Sequence, residues 1–149
     1  MRFKPVPEPP ESLDEVEAAR RAVPPEPDPD ADCCALVRAE LDLPRRDQAA
    51  DWLTFMRALG LVEERSEVYV RTDEDTDREQ VADVFRQRVY GAREVLDVLE
   101  SAEPLDIDAI VNRVQVRGID RQHVERLVRW AVLLGLAGRE DDWYRSTRT

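Results

Sequence analysis

The sequence predicts a mainly helical protein built from two copies of one small unit, each ending in a β-hairpin. The first observation is an internal repeat at a fixed offset of 75 residues, in which Leu59-Gly60-Leu61 recurs as Leu134-Gly135-Leu136. The correspondence runs without a gap from about residue 36 to residue 71, and it pairs Val68-Tyr69 with Trp143-Tyr144. The second observation is that apolar residues in both copies recur first with helical spacing and then in alternation. A repeat of this length indicates tandem copies of one supersecondary unit.

The first copy contains local signals for three helices and a hairpin. Ser12 and Glu15 have the spacing of a capping box, which predicts a helix that ends at about residue 23, before Pro24. Asp30 is the expected cap of a second helix that ends at about residue 41. A third helix is expected from about residue 45 to 59, with Gly60 as its stop, and a hairpin from residue 61 to 71.

The second copy follows a linking segment and has the same signals. Thr76-Asp77-Arg78-Glu79 is another capping box, and the apolar stripe after it predicts one long helix to about Ser101, with Gly91 as a place for a kink. Asp106 and Asp120 are the expected caps of two further helices, the second ending at about residue 134. Segments 136–139 and 143–145 predict the second hairpin.

The charge composition is that of an acidic, arginine-rich chain. There are 33 acidic and 22 basic residues among 149, a net charge of −11, and Lys4 is the only lysine. This composition is similar to that of proteins from salt-in extreme halophiles, where molar salt screens charge within about 3 Å. Net charge therefore says little about partners. The distribution says more, because residues 1–104 carry a net charge of −12 and residues 105–149 a net charge of +1.

Several function classes find no support in the sequence. No apolar stretch is long enough for a membrane span or a secretory signal, so we expect a cytoplasmic protein without membrane contact. Cys33 and Cys34 are adjacent and predict small buried residues. His123 has no partner at metal-ligand spacing, so either partial burial or a phosphate contact is expected for it. We therefore expect no catalytic residues, no cofactor and no metal, and the protein is not predicted to be an enzyme.

The order helix, helix, turn, helix, hairpin resembles the winged helix-turn-helix family over residues 12–72 and about 92–146. The segments that carry the resemblance are Met56-Arg57-Ala58-Leu59-Gly60-Leu61 and Val132-Leu133-Leu134-Gly135-Leu136, which look like the exit from a recognition helix into a wing. The resemblance implies a mainly α fold with two winged-helix units in tandem, joined by a long helix. The expected organisation is a Pro-rich arm over residues 1–11, a first winged helix over 12–75, and a linking helix with a second winged helix over 76–149.

The resemblance also implies that the third helix of a unit enters the DNA major groove. In the second copy, helical periodicity places Val124, Leu127, Val128 and Ala131 on a buried face, so Arg126 and Arg129 should be exposed on the other side. The residues expected to contact double-stranded DNA are those on this exposed face and beside the preceding turn: Arg113, Arg117, Arg121, Gln122, Arg126 and Arg129. The tryptophans, Trp52, Trp130 and Trp143, are expected to be core residues.

The first copy differs from the second on the same helix face. The offset carries Gln122, Arg126, Arg129 and Leu133 onto Asp47, Asp51, Thr54 and Ala58, and carboxylates repel phosphate. The first copy is therefore expected to pack or to bind a protein partner. Two hypotheses remain: a DNA-binding protein of transcription regulation or of the chromosome, reading DNA through the second unit, or a tandem winged-helix adaptor that binds proteins without touching DNA. In the second case the arginines only solubilise the helix and form intramolecular ion pairs. The sequence leaves a homodimer open.

Overall fold

The computed structural model describes residues 6–73, 76–101, 103–114, 116 and 118–147. Within these ranges the chain forms seven helices and two antiparallel two-stranded sheets. The elements are α1 (Leu13–Ala22), α2 (Cys33–Glu40), α3 (Arg46–Ala58), β1 (Val62–Arg65), β2 (Val68–Arg71), α4 (Arg78–Arg88), α5 (Ala92–Leu99), α6 (Ile107–Arg113), α7 (Arg121–Leu133), β3 (Ala137–Glu140) and β4 (Trp143–Ser146). In this described part of the chain, no helix is both long and apolar enough to cross a membrane.

The two copies have the same topology, as the repeat predicts. Helix α7 begins and ends at the positions that the repeat offset assigns to the ends of α3, and the strands of the second hairpin likewise match those of the first. The strand register repeats too, because Val62 pairs with Arg71 and Ala137 pairs with Ser146. The expectation of two units of three helices and a hairpin is confirmed.

The exit from each third helix into its hairpin is built in the same way. Gly60 and Gly135 both have a φ of +77°, which ends the helix in a left-handed turn that favours glycine. The hydroxyl of Thr72 donates to the carbonyl of Gly60 at 2.7 Å, and the hydroxyl of Thr147 donates to that of Gly135 at the same distance. These threonines also occupy equivalent positions of the two copies, just beyond the segment where the repeat is evident in the sequence.

A third backbone segment joins each hairpin. In the second unit Leu105 and Tyr144 exchange two backbone hydrogen bonds of 2.8 Å, which adds one residue of a third strand beside β4. In the first unit the N–H of Arg71 donates to the carbonyl of Pro24 at 2.9 Å. Proline has no N–H with which to return the bond, so this contact remains a single hydrogen bond.

The capping interactions of the first two helices differ from those expected for the first copy. Helix α2 is capped by Asp32, whose side chain accepts from the N–H of Ala35 at 3.1 Å, and not by Asp30. The Glu15 carboxylate accepts from the N–H of Glu11 at 2.8 Å instead of from Ser12, so the predicted reciprocal box is wrong there. Aspartates recur so closely in this loop that sequence alone does not select the capping one. The expected caps at Asp106 and Asp120 are confirmed.

Thr76 is likewise not the cap of α4, because Asp77 fills that position and accepts from the N–H of Gln80. The hydroxyl of Thr76 donates instead to the Glu17 carboxylate in α1, at 2.8 Å. Glu17 also accepts from Arg20 and Arg21, and these hydrogen bonds, that of Arg20 first, lower the pKa of Glu17 to about 2. The contact ties the start of the linking segment to the first unit.

The linking segment is not one long helix, contrary to expectation. Helix α4 ends at Arg88 and α5 begins at Ala92, and Gly91 between them has a φ of +85°. A Cβ on Gly91 would lie 2.3 Å from the Cδ1 atom of Ile119. The apolar stripe continues across the break because Val89 and Ala92 are buried on its two sides. Periodicity therefore does not reveal the break.

The break predicts an unequal response of two glycines to alanine. Gly60→Ala places a Cβ in open space, so it tests only the left-handed backbone and should lower the free energy of unfolding by about 1 kcal/mol. Gly91→Ala adds the collision with Ile119 and should cost about 2–4 kcal/mol. Chemical denaturation at constant salt measures both. Equal losses would contradict close packing at the break.

Candidate functional site

The third helices of the two units pack against each other around Trp130. The ring centroids of Phe55 and Trp130 lie 4.5 Å apart, and those of Trp52 and Trp130 lie 5.7 Å apart in an edge-to-face arrangement. All three side chains are buried, Trp130 completely. Aromatic pairs at these separations add to the free energy of burial. The helix that the resemblance assigns to DNA thus lies at the boundary between the units.

Equivalent positions of the two copies meet at this boundary. Phe55 and Trp130 are partners under the repeat and touch, as residues on a two-fold axis do in a symmetric dimer. Asp51 and Arg126 are another equivalent pair. Burial, followed by the nearby charge of Asp47, raises the pKa of Asp51, and the positive charge of Arg126 opposes that shift. The carboxylate of Asp51 in α3 is therefore within electrostatic influence of Arg126 in α7.

The N-terminal arm covers the same face of α7. Arg126 donates to the carbonyl of Val6 at 2.9 Å, and the indole N–H of Trp130 donates to the carbonyl of Pro7 at 2.7 Å. Val6 is 2% exposed. The contact continues along the arm, because Glu8 forms an ion pair of 3.1 Å with Arg129. We call this surface, formed by Arg126, Arg129 and Trp130, the arm cleft.

The structure does not gather the predicted DNA-contacting residues into one free surface. Arg126 is half-buried under the arm, so its predicted exposure is wrong, whereas Arg129 remains exposed. Arg121 forms ion pairs with Asp108 and with Glu125. Arg121 is nevertheless exposed, as are Gln122 and Arg113, and Arg117 lies outside the described residues. The expected buried face of α7, formed by Val124, Leu127, Val128 and Ala131, is confirmed.

His123 anchors α7 to the break in the linking segment. The ring is 4% exposed, and its Nε2 atom lies 3.2 Å from the carbonyl of Tyr90, so Nε2 carries the donated proton. Burial is the main cause that lowers the pKa of His123. The neutral ring is thus a structural contact between α7 and the residue before Gly91, in agreement with the predicted burial.

Trp143 is not a core residue, contrary to expectation, whereas Trp52 and Trp130 are. Its side chain is 50% exposed on β4, beside Pro104, Gly138 and Arg145. The repeat pairs Trp143 with Val68, which is half-buried, so the repeat does not predict the exposure of Trp143. The buried aromatic residue of this hairpin is Tyr144, over which Arg139 lies at 5.7 Å from the ring centroid.

Sequence reasoning missed the contact between the arm and α7. A proline-rich segment indicates an extended chain but not the surface on which it lies. One feature of the sequence is compatible with packing of the two copies: the repeat pairs Asp51 with Arg126, two residues of opposite charge.

The aromatic contact predicts different costs for removing two tryptophans. Trp52→Ala deletes a buried ring at the α3–α7 boundary and should lower the free energy of unfolding by about 3–5 kcal/mol. Trp143→Ala is the control and should cost about 0.5 kcal/mol or less, because half of the ring is already in solvent. Denaturation curves of the two variants decide the point. A larger loss of unfolding free energy for Trp143→Ala than for Trp52→Ala would contradict the burial of Trp52 in the core.

The buried histidine predicts acid sensitivity above the range of the carboxylates. Because folding lowers the pKa of His123, the unfolded chain takes up the proton first, and stability falls as pH drops through about 6.5. His123→Gln retains an N–H donor and has no titrating ring. Thermal unfolding between pH 7.5 and 5 should show a steeper loss for the wild type than for the variant. Parallel curves would contradict a neutral, buried ring.

The comparison with protein families agrees with this architecture. A family model described as the halobacterial double winged helix domain matches residues 1–149. The comparison with curated proteins gives no match. Winged-helix domains commonly bind DNA or act in regulation, and they are typically non-catalytic. Because the match spans both units and the arm, the chain belongs to the halobacterial double winged helix domain family.

Proposed function

We propose that this protein is a regulatory adaptor that binds other proteins and does not read DNA through α7. The packing of α3 against α7 around Trp130 carries the proposal. A recognition helix must present a free face to a major groove about 12 Å wide. Here the first unit and the arm cover one side of that face, and Arg126 is hydrogen-bonded within the chain.

The charges of the two third helices support the same proposal. The arginines of α7 that suggest phosphate contacts have acidic or carbonyl partners inside the chain: Arg129 pairs with Glu8, Arg121 with Asp108, and Arg126 lies near Asp51. An intramolecular explanation for these residues removes the main reason to assign them to DNA. The first unit has an acidic face on α3, which suits packing and protein contact better than phosphate.

Double-stranded DNA is the second candidate, and the charge distribution favours it. Residues 105–149 carry a net charge of +1 in a chain of net −11, and Gln122 and Arg113 are exposed. The ion pair between Arg129 and Glu8 is also exposed, and such pairs contribute about 0–1 kcal/mol. A phosphate could therefore replace Glu8 at little cost. Transcription regulation or a chromosomal role would follow from such binding.

Electrophoretic shifts of random duplex DNA in molar potassium chloride separate the two candidates. The adaptor proposal predicts no shift with the wild-type chain. If DNA is bound through α7, Arg126→Glu with Arg129→Glu should abolish the shift, because charge reversal replaces attraction with repulsion. The matched control is Arg21→Glu with Arg57→Glu, which changes the net charge equally on exposed arginines of the first unit. A wild-type shift that the control keeps and the α7 reversal loses would overturn the adaptor proposal.

A further inference from the structure

We infer that the arm cleft is a binding site for an extended segment of a partner protein that carries an apolar residue, a proline and a carboxylate in succession, and that the arm occupies it in cis. The inference rests on the proposed adaptor function and names the site and the partner chemistry. The arm shows what the cleft accepts, since the segment Val6-Pro7-Glu8-Pro9, which forms neither helix nor strand, lies across α7. Its prolines favour an extended backbone.

The hydrogen bonds that Arg126 and Trp130 donate in the arm cleft are made to the backbone of the bound segment and not to its side chains. The carbonyls of two successive residues, Val6 and Pro7, accept from Arg126 and Trp130. These two donors are separated by about one helical turn, on one face of α7. An extended proline-rich chain has no internal hydrogen bonds, so its carbonyls are free for such donors, and its ordering costs little entropy. Any chain of this conformation can make the two bonds.

Three further features define the side chains that fit. Val6 is buried, so the first position takes an apolar residue. Pro7 is buried as well, and because proline has no N–H, its burial leaves no donor unpaired. Glu8 pairs with Arg129, so the third position takes an acid. The preferred segment is therefore an apolar residue, a proline and a carboxylate in succession.

The repeat supplies an independent observation. At the repeat offset, Trp130, Arg126 and Arg129 correspond to Phe55, Asp51 and Thr54. The side chain of phenylalanine has no N–H to donate, and an aspartate would repel a carbonyl and a glutamate. The positions at which the two third helices differ in chemistry thus include the three that hold the arm. Packing of the two units accounts for a positive charge at Arg126, opposite Asp51. It requires neither the indole N–H of Trp130 nor the charge of Arg129, and both of these groups bind the arm.

The contacts do not require the bound segment to belong to the same chain. They consist of two backbone carbonyls, one apolar side chain and one carboxylate, all within residues 6–8. A tethered arm competes at an effective concentration of about millimolar, so a partner segment binds the wild type with reduced apparent affinity. The arm thereby raises the concentration of partner that is needed for binding.

The test uses the full-length chain and a labelled synthetic peptide of residues 1–11 in molar potassium chloride. Val6→Asp with Glu8→Arg should release the arm, because it buries a charge and reverses the ion pair. Fluorescence anisotropy should then show the peptide binding the released variant at least about tenfold more tightly than the wild type. On the released background, Trp130→Phe should weaken binding about fivefold, the loss of one hydrogen bond, and Trp143→Phe is the matched control that should leave it unchanged.

Each other outcome overturns the inference. Equal binding to wild type and released variant, or no binding to either, would show that the arm is not the occupant of a segment-binding site. If the double variant does not fold, the exposed change Glu8→Arg alone must still raise the affinity for the peptide. If the wild type self-associates and the peptide dissociates these oligomers, the occupant of the cleft is a second copy of the chain and not a partner protein. A DNA shift gained by the released variant and lost with Arg126→Glu would assign the cleft to DNA. The wild-type DNA shift described above tests the adaptor function separately.

Discussion

The contact between Trp130 and the two aromatic residues of α3 is the interaction on which the rest of the structure depends. A unit of about 60 residues buries too little apolar surface to be more than marginally stable alone. By packing their third helices together, the two units extend one hydrophobic core through both copies. Because Phe55 meets its own repeat partner Trp130, the arrangement resembles a symmetric dimer whose halves are covalently joined.

This constraint explains why the two copies diverge in charge. Once the third helices face each other, Asp51 on one side complements Arg126 on the other, and two identical faces would have placed like charges together. The remaining donors of α7 then bind the arm. Exposed ion pairs such as Arg129 with Glu8 weaken in molar salt, whereas the aromatic contact and the buried bond from Trp130 to Pro7 are screened much less. Packing around Trp130 therefore holds the site together when salt screens its charges.

The sequence predicts what depends on neighbours along the chain and fails where distant contacts decide. The bounds of α3 and α7 follow from glycine stops and from the repeat. The sequence marks Gly91 as a place for a kink but does not predict the break, and the close approach of Ile119, which leaves no room for a Cβ on Gly91, is a contact with a residue far away along the chain. The exposure of Trp143 and the docking of the arm have no periodic signature either. Of the candidate site, the face of α7 could be predicted, but not what covers it.

Hydrogen exchange of the indole N–H groups tests most directly whether the third helices and the arm are closed around Trp130. The indole N–H of Trp130 is buried and bonded to the carbonyl of Pro7, whereas half of the Trp143 ring is exposed to solvent. Nuclear magnetic resonance of the full-length chain in molar potassium chloride should show slow exchange for Trp130 and fast exchange for Trp143. Fast exchange at Trp130 in a folded chain would contradict the closed arrangement and return the face of α7 to solvent.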